Sequence, residues 1–88
     1  MSVMTYESPD QRAEAAAYAS PGQRFPTVQF QRGYDIASVD AFFATIASRP
    51  AYEVKAARFP RNFFNRGYSK VDVDRSVQWW ARKKTIEG

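Results

Sequence analysis

One feature limits what this chain can become more than any other: a long stretch of it is written twice. Phe25 to Ala47 reads FPTVQFQRGYDIASVDAFFATIA, and a shift of 34 residues brings FPRNFFNRGYSKVDVDRSVQWWA, starting at Phe59. Without a gap, the shift superposes Arg24 on Arg58, Phe25 on Phe59, Pro26 on Pro60 and Phe30 on Phe64. It continues through Arg32/Arg66, Gly33/Gly67, Tyr34/Tyr68, Val39/Val73, Asp40/Asp74 and Ala47/Ala81. A fixed-period repeat defines the structural unit before any propensity is consulted, because one such unit rarely buries its own apolar face.

Size sharpens the point. A chain of 88 residues buries only about 60–65 % of its unfolded surface and is marginal alone. It is read as a single domain over 1–88, with repeat 1 at about 18–48, repeat 2 at about 50–84, and a flexible stretch at 1–7. There is no cysteine and no histidine, which removes disulfides, Cys-based metal sites and the commonest general base. Stability has to come from apolar burial, and 16 % of the residues are aromatic, the side chains that bury most. No apolar run approaches the ~20 residues of a membrane span. The start, MSVMTYESPD, lacks the basic and apolar regions of a secretory signal. A cytoplasmic location is expected, with peripheral membrane contact as the variant of it.

The local grammar is helical. Ser8, Pro9 and Gln11 spell a capped helix start, and Pro21-Gly22 a stop, so a helix is expected over 9–19 with Tyr18 as its anchor. Phe25 to Arg32 alternates apolar and polar residues but is too short to be read as a sheet. In Gly33-Tyr34-Asp35, Asp35 reads as an N-cap, with Tyr34 and Val39 at the spacing of a hydrophobic staple. Ser69, Tyr68 and Val73 repeat the arrangement, and Gly33 and Gly67 are expected to supply a positive φ before each helix. Val39, Phe42, Phe43 and Ile46 form an apolar stripe on a helix at 36–48. Val73, Ser76, Val77 and Trp80 form a thinner one on a helix at 70–84. Between them, 50–57 reads as a short helix with Tyr52 and Val54 turned inward. The expected fold is therefore all-α: two tandem leader-loop-helix repeats and about four helices. The copies are expected to pack about a pseudo-two-fold axis, the first stripe meeting Val73, Val77 and Trp80.

Charge is distributed unevenly. Residues 1–44 carry a net −2 and residues 45–88 a net +6, which points the C-terminal half at an acidic partner, a nucleic acid or an anionic membrane. The candidate contacts are Arg32, Arg58, Arg61, Phe63, Arg66, Trp79, Arg82, Lys83 and Lys84, basic residues interleaved with aromatics. Such a mixture can track a phosphate backbone and stack bases, or anchor at a membrane interface. The plainer alternative is a ring core from which guanidinium groups reach water. Asp40 and Asp74 lack any companion for acid–base work, and each is expected to make a structural bond to Arg32, Arg66 or loop N–H groups. No catalytic, cofactor or metal site and no small-molecule substrate is expected.

The shared residues, Arg32-Gly33-Tyr34-Asp35 with Val39-Asp40 and Arg66-Gly67-Tyr68-Ser69 with Val73-Asp74, resemble the short repeat of the DivIVA family. These are bacterial coiled-coil scaffolds of the cell pole and division site. The resemblance spans most of the chain, about Arg24–Ala47 and Ala51–Ala81. It implies an all-α, self-associating unit whose loop touches membrane through an aromatic residue and an adjacent arginine. That arginine corresponds to Arg32 and Arg66, but Gln31 and Asn65 stand where the family's best-known pattern has phenylalanine. The family's long coiled coil is not written in these residues. The expectation is a non-catalytic interaction module that binds another protein and can self-associate. The alternative is a basic aromatic module that binds nucleic acid or an anionic membrane through its C-terminal half.

Overall fold

In the computed structural model, residues 9–29, 33–62 and 66–87 are described. The expected flexible 1–7, the Ser8 cap, and the candidate contacts Arg32 and Phe63 lie outside them. Helix α1 (Pro9–Ala15) runs into a 3-10 turn (Ala16–Tyr18), followed by strands β1 (Thr27–Gln29) and β2 (Gly33–Tyr34). Helix α2 (Ile36–Phe43) and a 3-10 turn (Ile46–Ser48) lead to α3 (Ala51–Lys55). Strands β3 (Arg61–Asn62) and β4 (Arg66–Tyr68) precede the long α4 (Lys70–Glu87). The fold is thus mixed α and β. The all-α expectation is overturned by a four-stranded antiparallel sheet in the order β1-β4-β2-β3.

That order explains the repeat. Strands β1 and β2 belong to the first copy, β3 and β4 to the second, and the sheet alternates them. Thr27 faces Tyr68 and Val28 faces Gly67; 34 residues on, Arg61 faces Tyr34 and Asn62 faces Gly33. At the centre Tyr34 opposes its own equivalent, Tyr68. The flanking backbone bonds obey the same rule: Asp35 N donates to Pro60 O and Ser69 N to Pro26 O, both at 2.8 Å. The copies are therefore related by a pseudo-two-fold axis through the Tyr34–Tyr68 pair, and each strand is paired by the other copy.

The two repeat glycines are needed at this crossing, for a different reason from the expected one. Gly22, with φ 82°, has the positive φ; Gly33 and Gly67 do not. A Cβ on Gly67 would lie 2.8 Å from Tyr34 O and 2.9 Å from Gly33 C, and one on Gly33 would lie 2.8 Å from Tyr68 O. The two backbones touch where a side chain would stand, so only glycine fits.

Helix α2 starts where Asp35 accepts hydrogen bonds from Ser38 N (3.0 Å) and Ser38 Oγ (2.8 Å), the expected N-cap. The chain is extended at Arg49, ahead of Pro50, as the proline ring requires. Val39, Phe43, Ile46, Val54, Tyr68, Val73 and Trp80 form one buried cluster. The stripes reach it by a route not foreseen, since α4 packs chiefly on α1 and α3, while α2 lies on β4. Ser76, standing where the first copy has Phe42, leaves room for α1 rather than for a bulky ring. Its Oγ donates to Ala13 O at 2.9 Å, beside Trp80 Nε1 at 3.1 Å from the same oxygen. The alanine face of α1 serves this close approach through Ala13 and Ala16. Tyr18 and Tyr52, expected inside, are 70 % and 71 % exposed; Ala16 and Val54 hold those places in the core.

Candidate functional site

Each copy carries an aspartate one position after its buried valine, and each aspartate meets the other copy's tyrosine. Tyr68 Oη donates to Asp40 Oδ1 at 2.7 Å, and Tyr34 Oη donates to Asp74 Oδ1 at 2.7 Å. The rings cross as well: Tyr68 packs edge-on against Phe25, and Tyr34 packs at a tilt against Phe59. The tyrosines expected as staples within a repeat are thus clasps between repeats.

Around these matched pairs the two copies diverge. Asp40 is closed in. Arg24 Nε donates to its Oδ1 at 3.0 Å, Gly22 N donates to Oδ2 at 2.8 Å, and the Arg24 side chain is only 5 % exposed. Arg24 Nη1 continues to Ala16 O and Ala17 O, holding the end of α1 to the network. Arg24 takes the place expected for Arg66, which is exposed on β4, while Arg32 lies outside the described residues; the loop N–H group was foreseen. At Asp74, among the described residues, neither an arginine nor a loop N–H closes the site. Lys70 Nζ donates to Oδ2 at 2.8 Å from one turn away, and 36 % of the carboxylate side chain stays exposed. Arg58, the counterpart of Arg24, is exposed and donates to Ala57 O.

A cleft of about 420 Å³ results on the second copy's side, lined by Tyr34, Lys55, Arg58, Phe59, Arg61, Asp74 and Val77 among others. Its origin is visible in the copy-to-copy differences. Phe43 packs edge-on against Phe25, with centroids 5.1 Å apart; its counterpart Val77 is smaller, and Phe59 instead meets Phe42 of the first copy at 5.5 Å, with the cleft beside Phe59 and Val77.

Burial, reinforced by the bond to Asp40, pushes the Tyr68 hydroxyl up to about 12. The Tyr34 hydroxyl is raised by the same two causes, burial first. Lys70 is raised through its hydrogen bond to Asp74.

The expected contact residues do not share one surface. Arg58 and Arg61 meet at the cleft, and Arg61 lies 5.8 Å from the Tyr34 ring. Arg66 and Arg82 are exposed on β4 and α4, outside the cleft. Trp79 is half-buried against Trp80, and Lys83 lies 5.8 Å from its ring. Lys84 donates to Ala47 O at 2.9 Å, so it ties α4 to the turn after α2. Lys55, Phe59 and Val77 were missed as site residues. The readable signal was the substitution of Val77 for Phe43 and of Lys55 for Pro21 between the copies.

Among the described residues no group of three or more acidic or other metal-ligating side chains converges, and no helix is long and apolar enough to cross a membrane. No protein-family model, curated protein or solved structure matches the chain.

Proposed function

We propose that the protein is a non-catalytic interaction module of DivIVA-like type, its two repeats closed on each other within one chain, that binds an acidic protein partner. The observation that carries this reading is the destination of the repeat signature. Gly33 and Gly67, Tyr34 and Tyr68, Asp40 and Asp74 all bond or pack across the pseudo-two-fold axis. The residues that make the repeat recognisable serve pairing, and pairing in one chain takes the place of association between chains. What the paired unit turns outward is basic: Lys55, Arg58, Arg61, Arg66, Arg75 and Arg82 are exposed. On this reading the module works in a bacterial cytoplasm, against a partner or a partner-coated membrane.

A polymer of nucleotides is less well served, because stacking needs open ring faces. Phe42, Phe59 and Trp79 each pack against another ring and the core cluster. The test compares labelled poly-glutamate, a single-stranded oligonucleotide and anionic vesicles over about 50–200 mM salt, the range in which phosphate contacts lose affinity steeply. The proposal expects poly-glutamate to bind best. Tighter binding of the oligonucleotide or the vesicles contradicts it.

A further inference from the structure

We infer that the cleft beside Tyr34 and Asp74 is a docking site for an acidic segment of a partner protein, with an aliphatic side chain between its carboxylates. This rests on the interaction-module reading and adds the place and the chemistry. The first copy is the internal standard. There Phe43 fills the space against Phe25, and Arg24 with the Gly22 backbone closes over Asp40. In the second copy this closure is not repeated. Val77 is smaller than Phe43, Lys55 replaces Pro21, and Arg58, the same residue as Arg24, lines the cleft and donates to Ala57 O instead of to its aspartate. The opening therefore goes with two sequence departures, at Val77 and Lys55, and with a different seat for the shared arginine.

The lining then says what fits. Lys55, Arg58 and Arg61 converge on the cleft, and among the described residues none of them has a carboxylate partner. The one carboxylate present, Asp74, is already bonded by Tyr34 and Lys70, so it does not cancel the three cations. A cationic segment imitating Arg24 would be repelled, and an anionic one is attracted. Phe59, Val77 and Ala57 offer an apolar floor, which suits an aliphatic side chain between charged neighbours. The volume lies in the range of binding pockets, about 300–1,000 Å³. Bases find a poor platform here, because Phe59 packs against Tyr34 and Phe42, and Arg61 lies over the Tyr34 ring.

The decisive experiment is fluorescence anisotropy with a labelled peptide of alternating aspartate and leucine, on the full chain at low salt. The variant Val77→Phe refills the cleft as Phe43 does in the first copy and leaves the charge unchanged. It should weaken the peptide by at least about tenfold while the melting temperature holds or rises. Arg58→Glu with Arg61→Glu should weaken it at least as much, and Arg82→Glu, outside the cleft, by less than about twofold. Unchanged binding by Val77→Phe, or equal losses from Arg82→Glu and the double variant, would overturn the cleft and leave the wider reading standing. If the unmodified chain ignores the peptide but binds the oligonucleotide or vesicles, both fall. No binding of the peptide, with poly-glutamate still bound, sinks the cleft alone.

Discussion

Asp40 and Asp74 hold equivalent places in the repeat, yet one is shut away and the other is half in water, and this difference has consequences that can be measured. Tyr68 is fully buried, and its hydroxyl both donates to Asp40 and accepts from Arg24 N. Tyr68→Phe should therefore cost about 1.5–3 kcal/mol in chemical denaturation, as for a lost bond to a charged group. Tyr34→Phe should cost about 1 kcal/mol or less, because Asp74 keeps Lys70 and water. The same hydroxyl predicts the alkaline behaviour. Its ordinary value is 10.0 and its folded value about 12. Between those limits the unfolded tyrosine has lost its proton while the folded one retains it. The folded state then binds more protons, so stability is fully present below about pH 10 and falls as pH rises towards 12. The raised Lys70 acts in the same direction. Urea midpoints followed from pH 9 to 12 should decline, and Tyr68→Phe should flatten part of the decline. At this scale the sequence was half legible. The Asp35 cap follows from residue type and position. The partner of Asp40 does not, because each repeat carries two shared arginines, Arg24 and Arg32 or Arg58 and Arg66, and only the sheet defines the path of the loop.

The sheet is the element that the sequence concealed, for physical reasons. Its strands are two or three residues long, so alternation of apolar and polar residues never runs far enough to be recognised. Each also pairs with strands of the other copy and never with the nearby strand of its own, so no hairpin turn announces it. The glycines were the one local clue, and they suggested a turn when they mark an approach of two backbones. That distinction is testable. Gly67→Ala sets a Cβ against the backbone at Tyr34 and Gly33, atoms that cannot swing aside, and should cost about 3 kcal/mol or more. Gly22→Ala meets open space at φ 82°, and should cost only the ~1–2 kcal/mol of a left-handed conformation. Thermal melts of the two variants decide the matter. A smaller loss at Gly67 than at Gly22 would mean that the strands are not in contact. The helices were more legible, since capping and stripes are local signals. Their ends shifted where α1 and α2 tighten into 3-10 turns.

At the scale of the whole molecule, one rule organises the chain: what each repeat cannot bury or bond alone, the other repeat supplies. Phe25 takes Tyr68, Phe59 takes Tyr34, Asp40 and Asp74 take the opposite hydroxyls, and the strands alternate. The 34-residue echo made a pseudo-two-fold pairing readable in advance. What it could not convey is that the axis passes through a pair of tyrosines in a sheet, with α1 rather than α2 lying along α4. Ser76 showed that α4 lacked a ring at that point. Only the fold shows that Ala13 comes there instead. The departures from symmetry matter as much as the symmetry, because Val77, Lys55 and Arg58 leave one of the two equivalent sites open. The most direct test of internal pairing is an isotope-filtered NOE experiment on an equal mixture of labelled and unlabelled chains, read at the Hα protons of Gly33 and Gly67. Internal pairing predicts a strong Gly33–Gly67 cross-peak within a single chain, unaltered by dilution. A cross-peak between labelled and unlabelled chains, or its loss on dilution, would contradict it.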